Sequence, residues 1–348
     1  MKIVQISAFE EPVPAKKYGG VERVVYSITE ELINRGHEVY LFASGDSKTS
    51  AKLVPVLPKA MRKYPLSRDS RFRETMKWVG INKAIKKIKE LKPDIIHSHL
   101  NWRFICVAEL LNTPTVSTLH GPINDKPRKP AYKELKHLNY VSISNAQRKF
   151  LPELNFVATV YNGIEVKKFD FSKKGGNYLA FLGRMSEEKG AIEAIKIAKG
   201  ANLPMKMASK IDVVDEPYFK KGVKPLIDGR KIKFIGEIAH TEKVKLLKNA
   251  KALILPINWE EPFGLVMPEA MACGTPVIVF DRGSAREVVK NGKTGFVVKN
   301  VKEAVKAVKK IDTIKRENCR KWVEEKFTVE KMVDGYEKIY RKIIKPKK

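Results

Sequence analysis

Short apolar runs alternate with longer amphipathic stretches along almost the whole chain. Residues 2–8 (KIVQISA) read as a strand. Over 20–35 (GVERVVYSITEELINR), Val21, Val24, Val25, Ile28 and Leu32 recur near helical spacing, which predicts a helix. Gly36 is its expected stop, and 37–43 (HEVYLFA) the next strand. The alternation continues with an amphipathic helix over 79–91 and strands over 94–97, 115–119, 140–143 and 157–161. These runs are short and apolar throughout, as expected of a parallel sheet covered on both faces.

The pattern breaks at residues 162–177 (NGIEVKKFDFSKKGGN), a Lys- and Gly-rich linker, and then restarts. Strands are expected over 178–182, 205–208, 231–235, 252–256 and 276–280, and helices over 188–199 and 241–249. The expected fold is α/β, with two doubly wound Rossmann-like domains facing across a cleft. The boundaries predicted are 1–165 and 166–328, with a helix over about 329–348 packing back on the first domain. In open α/β sheets, ligands bind beyond the carboxyl ends of strands, so chemistry is sought there.

A length of 348 residues suits two domains, and 43% apolar content supplies a sizeable core. Lys and Arg total 68 against 39 Asp and Glu, a formal charge of +29. Such a field attracts anions: nucleotides, nucleic acid or acidic lipid headgroups. The lysines are spread along helices, which equally fits a solvated surface. Cys106, Cys273 and Cys319 have neither zinc nor disulfide spacing. The opening MKIVQISAFE lacks the features of a signal peptide, and no stretch approaches a membrane span. A cytoplasmic protein is expected, with peripheral attachment at the inner membrane face left open.

Four strand-end stretches carry candidate chemistry. In 17–22 (KYGGVE), Gly19 and Gly20 let backbone N–H groups approach an anion at a helix start, or form an ordinary turn. In STLHG, His120 ends a strand and either meets a sugar hydroxyl or is a structural histidine. His97 and His99 also end a strand, but no third ligand at metal-binding spacing is visible. In YLAFLGRMSEEKGA, Gly183 closes a strand, Arg184 and Lys189 flank the entry to a helix, and Ser186 is a plausible cap. Two cations there oppose the helix dipole by about 0.3–1 kcal/mol each. Charge-assisted hydrogen bonds to a bound polyanion, about 1.5–3 kcal/mol each, outweigh that.

The fourth stretch, EEPFGLVMPEAMACGTPVIVF, spans residues 260–280. A short helix is expected from near Met267, with Pro268 suiting its first position and Gly274 its end. Glu261 then lies in the loop and Glu269 in the first turn. Held apart in this way, the carboxylates can grip two ends of an extended ligand. The N–H groups near Gly264 and Leu265 face its middle. Hydroxyls at both ends and phosphates between them describe a nucleotide sugar. Taken singly, Glu269 also fits simple dipole complementarity, and Glu261 an exposed loop charge.

These pieces, in this order, resemble the retaining glycosyltransferases of family 4, which have the GT-B fold. The E-x7-E segment EPFGLVMPEAMACGTPVI, GRMSEEKG and GSAREVVKNGKTGFVV carry the likeness in the second half. YGGVERVV, FASGDS, TLHG, SISNAQ and YNGI carry it in the first, and resemble a short-chain branch of the family. The resemblance implies that Glu269 holds ribose hydroxyls, and that Arg184 and Lys189 neutralise the diphosphate as leaving group. Phe263, Gly264, Leu265, Gly19 and Gly20 would add N–H donors, with Gly183 lining the donor site. Glu261 and His120 would contact the transferred sugar, and Ile238 the base. Neither cofactor nor metal is implied. The expected reaction retains anomeric configuration, with the leaving phosphate taking the acceptor's proton; Glu261 is either nucleophile or sugar-orienting group. UDP-glucose is the favoured donor, and the acceptor is open.

One departure is the basic stretch over 54–77, expected as an acceptor or lid element. A GT-B epimerase is disfavoured by the E-x7-E segment. A nucleic-acid-binding protein lacks a zinc motif, a helix-turn-helix and a basic–aromatic stripe. DNA or a lipid as acceptor, the latter reached through an anionic membrane surface, stays as the alternative.

Overall fold

The computed structural model describes residues 1–15 and 19–344. The chain forms two compact units, one built from Met1–Gly163 with the helix Val329–Ile344, the other from Ile164–Thr328. In the first, seven parallel strands lie in the order β3-β2-β1-β4-β5-β6-β7. They are β1 (Lys2–Ile6), β2 (Glu38–Ser44), β3 (Lys52–Leu57), β4 (Ile95–Ser98), β5 (Thr115–Leu119), β6 (Asn139–Ser142) and β7 (Phe156–Thr159). In the second, six parallel strands run β10-β9-β8-β11-β12-β13. These are β8 (Leu179–Arg184), β9 (Met205–Lys210), β10 (Ile232–Gly236), β11 (Ala252–Leu255), β12 (Val277–Phe280) and β13 (Gly295–Val298). Each sheet is doubly wound, and the strand order reverses beside β1 and beside β8. Every residue of β11 and β12 is buried, as continuous apolar runs dictate when helices cover both faces, and β4 is buried throughout although it ends in His97 and Ser98.

The first helix runs Gly20–Asn34 and buries Val24, Val25, Ile28 and Leu32, the stripe its spacing predicted. The helix expected over 79–91 begins earlier, at Ser70, where the Asp69 carboxylate accepts from the N–H groups of Arg71 and Phe72. The basic stretch over 54–77 is therefore not one inserted element. It divides into the edge strand β3, the 3-10 turn Met61–Lys63 and the first turns of that helix. Part of its charge is answered locally: Arg73 and Lys77 both reach Glu10 at 2.8 Å, and Lys63 reaches Asp46 at 2.7 Å. Strands β3 and β13 escaped the pattern: β3 (KLVPVL) is interrupted by Pro55, and β13 (GFVV) is four residues opened by a glycine.

The helix Val329–Ile344 belongs to the first unit. Tyr336 and Tyr340 are fully buried there, and Arg35 reaches Asp334 at 2.7 Å and Glu337 at 2.8 Å. The KPKK that follows lies outside the described residues, as do Lys17 and Tyr18. In the second unit, the buried Arg316 guanidinium donates to the carbonyls of Ser172, Lys248 and Ala250 and to the Thr275 hydroxyl. It ties the entering segment to the ends of two helix–strand connections. Among the described residues, no helix is long and apolar enough to cross a membrane.

Candidate active site

In the second unit, the loops after β8 and β11, the two adjacent strands at the reversal of strand order, carry most of the candidates. β8 ends in Gly183 and Arg184, so Arg184 belongs to the strand and not to a helix entry. Lys189 closes the 3-10 turn Glu187–Lys189. The helix proper starts only at Ala191, and Ser186 makes no capping hydrogen bond with its side chain. Gly190 causes the break. It sits at φ 70°, and a Cβ there would drive into the Pro256 carbonyl at the end of β11. The turn and the next loop thus pack backbone to backbone. Gly190→Ala is expected to lose about 1–3 kcal/mol in urea unfolding; an unchanged midpoint would refute this packing.

Both cations have carboxylate partners. Arg184 contacts Glu188 at 3.0 Å and Asp215 at 3.3 Å. Burial raises the Asp215 carboxyl above its ordinary value, and Arg184 pulls against that rise. Lys189 is ion-paired to Glu261, which also accepts from the Trp259 indole at 3.1 Å. Lys189 lies 5.0 Å from the Trp259 ring centroid. Glu261 is therefore a largely buried, double-partnered carboxylate, not an exposed loop charge.

The short helix spans Val266–Ala272, placing Pro268 at its third residue, where the missing N–H costs no intrahelical bond. Gly274, at φ 86°, follows as the αL stop. Phe263 is buried and its carbonyl accepts from the Ser284 hydroxyl at 3.0 Å, which pins the loop. The N–H groups of Gly264 and Leu265 donate no hydrogen bond within the described residues. Glu269 is buried and accepts from Lys243 at 2.6 Å; Lys243 is itself buried. Dipole complementarity alone does not account for this pair. Ile238 lies half-buried between β10 and the helix His240–Lys248 that carries Lys243.

The remaining candidates belong to the first unit. Gly19, at φ 146°, caps the helix that Gly20 begins; a Cβ on it would strike the Ala15 side chain. His120 follows β5 directly, and its N–H donates to Asn101 at 3.2 Å. Its Nε2 lies 2.7 Å from Nδ1 of His99. His97 spends both ring nitrogens on Tyr340 and Thr118. The H-x-H pair is thus built into hydrogen bonds, and no group of three potential metal ligands occurs among the described residues.

The profile described as "Glycosyl transferases group 1" matches residues 164–328, and that of "Glycosyltransferase Family 4" matches residues 18–168. The chain belongs to the group 1 glycosyltransferases. A glycogen synthase from Mycobacterium tuberculosis is 26% identical over 342 residues, covering 85% of this chain and 81% of its own. Among solved structures, a sucrose-phosphate synthase from Thermosynechococcus elongatus shares the fold at TM-score 0.83 and 19% identity, over 98% of both chains. Anabaena HepE in complex with UDP and glucose does so at TM-score 0.76 and 19% identity, over 98% of this chain and 100% of its own. The fold of this glycosyltransferase is GT-B.

The glycosyltransferase's sequence did not single out Lys243, Trp259 or Asp215. Lys243 is one of four lysines within HTEKVKLLKNAK, and only its burial against Glu269 distinguishes it. Trp259 stands two residues before Glu261, and that nearness was the available signal. Asp215 closes a 3-10 turn in a stretch with no period.

Proposed function

We propose that this transferase moves a hexose from a nucleoside-diphosphate sugar to a hydroxyl acceptor with retention of anomeric configuration, and that UDP-glucose is the donor. The observation that carries the reading is the E-x7-E segment after β11, where Glu261 and Glu269 each hold a lysine. The complex of Anabaena HepE with UDP and glucose supports the choice of donor.

In this reading the Glu269 carboxylate accepts from the ribose hydroxyls, with Lys243 holding it in place. Ile238 packs near the base. Arg184 and Lys189 exchange their carboxylate partners for the diphosphate, and Gly183 leaves room beside it. N–H groups of Phe263, Gly264, Leu265, Gly19 and Gly20 add to the anion's shell. Glu261 and His120 contact the sugar. As the glycosidic bond lengthens, positive charge builds on the sugar and negative charge on the leaving diphosphate. Catalysis then rests on stabilising that leaving group, whose oxygen takes the acceptor's proton. The cationic side chains fill the place of a metal ion. A second reading, in which the acceptor is DNA or a lipid at an anionic surface, draws on the formal charge of +29.

Calorimetric titration with UDP, GDP, ADP and their glucose conjugates tests the donor site. UDP and UDP-glucose are expected to bind selectively, and Glu269→Gln, which keeps an acceptor for Lys243, to weaken both about tenfold or more. Equal affinity for all three bases would remove the UDP assignment. Unchanged affinity in the variant would remove the ribose contact.

A further inference from the structure

A chain of buried polar groups runs from His120 into the core of the first unit. Gln5, His97, Thr118, Tyr336 and Tyr340 are fully buried, and His99 nearly so, while His120 is half-buried. The contacts are His120 Nε2 to His99 Nδ1 at 2.7 Å, His99 Nε2 to Gln5 Oε1 at 2.9 Å and Gln5 Nε2 to Tyr340 Oη at 3.1 Å. Beyond Tyr340 come His97 Nδ1 at 2.6 Å, then His97 Nε2 to Thr118 Oγ1 at 2.7 Å, and Thr118 Oγ1 to Tyr336 Oη at 3.1 Å. Burial holds all three imidazoles neutral by lowering their affinity for a second proton. Each ring therefore carries one N–H.

With the Gln5 amide oxygen toward His99 and its nitrogen toward Tyr340, donor and acceptor bookkeeping sets the direction of the chain. The Gln5 carbonyl oxygen can only accept, so His99 donates from Nε2 and leaves Nδ1 bare. His120 must fill that bare nitrogen with its own Nε2–H. The Gln5 amide donates to Tyr340. Thr118 donates its one proton to Tyr336, so His97 donates to Thr118 from Nε2, and its bare Nδ1 accepts from Tyr340. All six bonds point inward from His120, and such aligned chains strengthen one another.

We propose that Gln5, His99 and Tyr340 are positioning residues that hold His120 in the Nε2–H tautomer, so that its Nδ1 is a fixed acceptor for a hydroxyl of the transferred sugar. The inference rests on the sugar contact assigned to His120 above. It adds what that contact selects: a hydroxyl that donates, on a sugar whose stereochemistry brings it to Nδ1. It also makes the helix Val329–Ile344 a participant in sugar recognition through Tyr340, although the two residues lie far apart in sequence.

The test is long-range proton–nitrogen NMR on the full chain labelled with nitrogen-15 histidine, at pH 7.5 without ligand. His120 is expected to show a protonated Nε2 and an unprotonated Nδ1. Gln5→Met removes the acceptor that orders His99, and the nearly isosteric Tyr340→Phe removes the hydroxyl that orients the Gln5 amide. Both are expected to give His120 as a mixture of tautomers. In Tyr340→Phe, UDP-glucose affinity falls about tenfold while UDP affinity stays within twofold, because UDP has no sugar to lose. A protonated Nδ1 in the wild type reverses the chain and overturns the proposal. So does an unchanged His120 tautomer in Tyr340→Phe, or an equal loss for UDP and UDP-glucose. If the tautomers behave as expected but no sugar nucleotide binds the wild type, the donor reading fails and the ordered chain stands.

Discussion

Lys189→Ala is expected to lower donor turnover, read as UDP-glucose hydrolysis, by about 10²–10³ in kcat, with little change in UDP-glucose affinity and a weaker hold on UDP, which carries the leaving group's full charge. The argument is electrostatic. Lys189 stands in the turn after β8 and already holds a largely buried carboxylate, Glu261. A diphosphate gains charge as it leaves, so a cation beside it stabilises the transition state more than the ground state. Removing one pre-oriented donor of that kind costs about 2.7–4 kcal/mol. Uniform binding would appear instead as a raised KM with kcat unchanged. Lys189→Arg keeps the charge but alters the reach to Glu261, and an intermediate rate is expected. A Lys189→Ala enzyme that turns over within threefold of wild type would place Lys189 outside the chemistry. Its urea midpoint, measured alongside, separates lost catalysis from lost folding, since the variant leaves Glu261 with Trp259 as partner.

The second large effect is acid lability of the first unit. His97, His99 and His120 are held neutral by burial, with His120 pushed down to about 4. In the unfolded chain each takes up a proton near pH 6.5. Below that pH the unfolded state binds up to three protons that the folded state refuses, so stability falls as pH falls. Three protons correspond to a slope of about 4 kcal/mol per pH unit. Glu22 works the other way: burial raises its carboxyl to about 7, so the folded state keeps a proton the unfolded chain has released above pH 4.5. Glu22 subtracts one proton from the balance, leaving a net slope of about 2.7 kcal/mol per pH unit between pH 6.5 and 4.5. The histidines win. Urea unfolding followed by Trp78 and Trp102 fluorescence at pH 7.5, 6.5 and 5.5 reads this slope. A flat profile would mean that the imidazoles are charged, or exposed, in the folded protein. Glu22→Gln is expected to steepen the profile, by removing the opposing proton.

What the sequence made legible follows from the length of the signal. β5 and the helix Gly20–Asn34 sit where periodicity put them, because each is a clean apolar run or stripe bounded by turn chemistry. β3 is broken by Pro55 and β13 is only four residues long with a glycine at its start, so neither shows a period. The break at Gly190 was hidden as well. SEEKGAIEAIKIA reads as one continuous helix, but Gly190 breaks it at φ 70°, where the Pro256 carbonyl, distant in sequence, leaves no room for a side chain. At the site, glutamates, glycines and cations at strand ends stood out by type and spacing. Their partners did not: Lys243 looks like any lysine of an amphipathic helix, and Gln5 like any polar residue in a strand. Partnership through space leaves no trace in spacing along one chain.

The helix Val329–Ile344 closes the first unit after the whole second unit has been threaded through. During synthesis, residues 1–163 therefore emerge before Tyr336 and Tyr340, the hydrogen-bond partners of Gln5, His97 and Thr118 in the finished unit. The second unit, Ile164–Thr328, is continuous and has all its partners by then. The order of completion is thus the reverse of the order of translation: the part begun first is finished last.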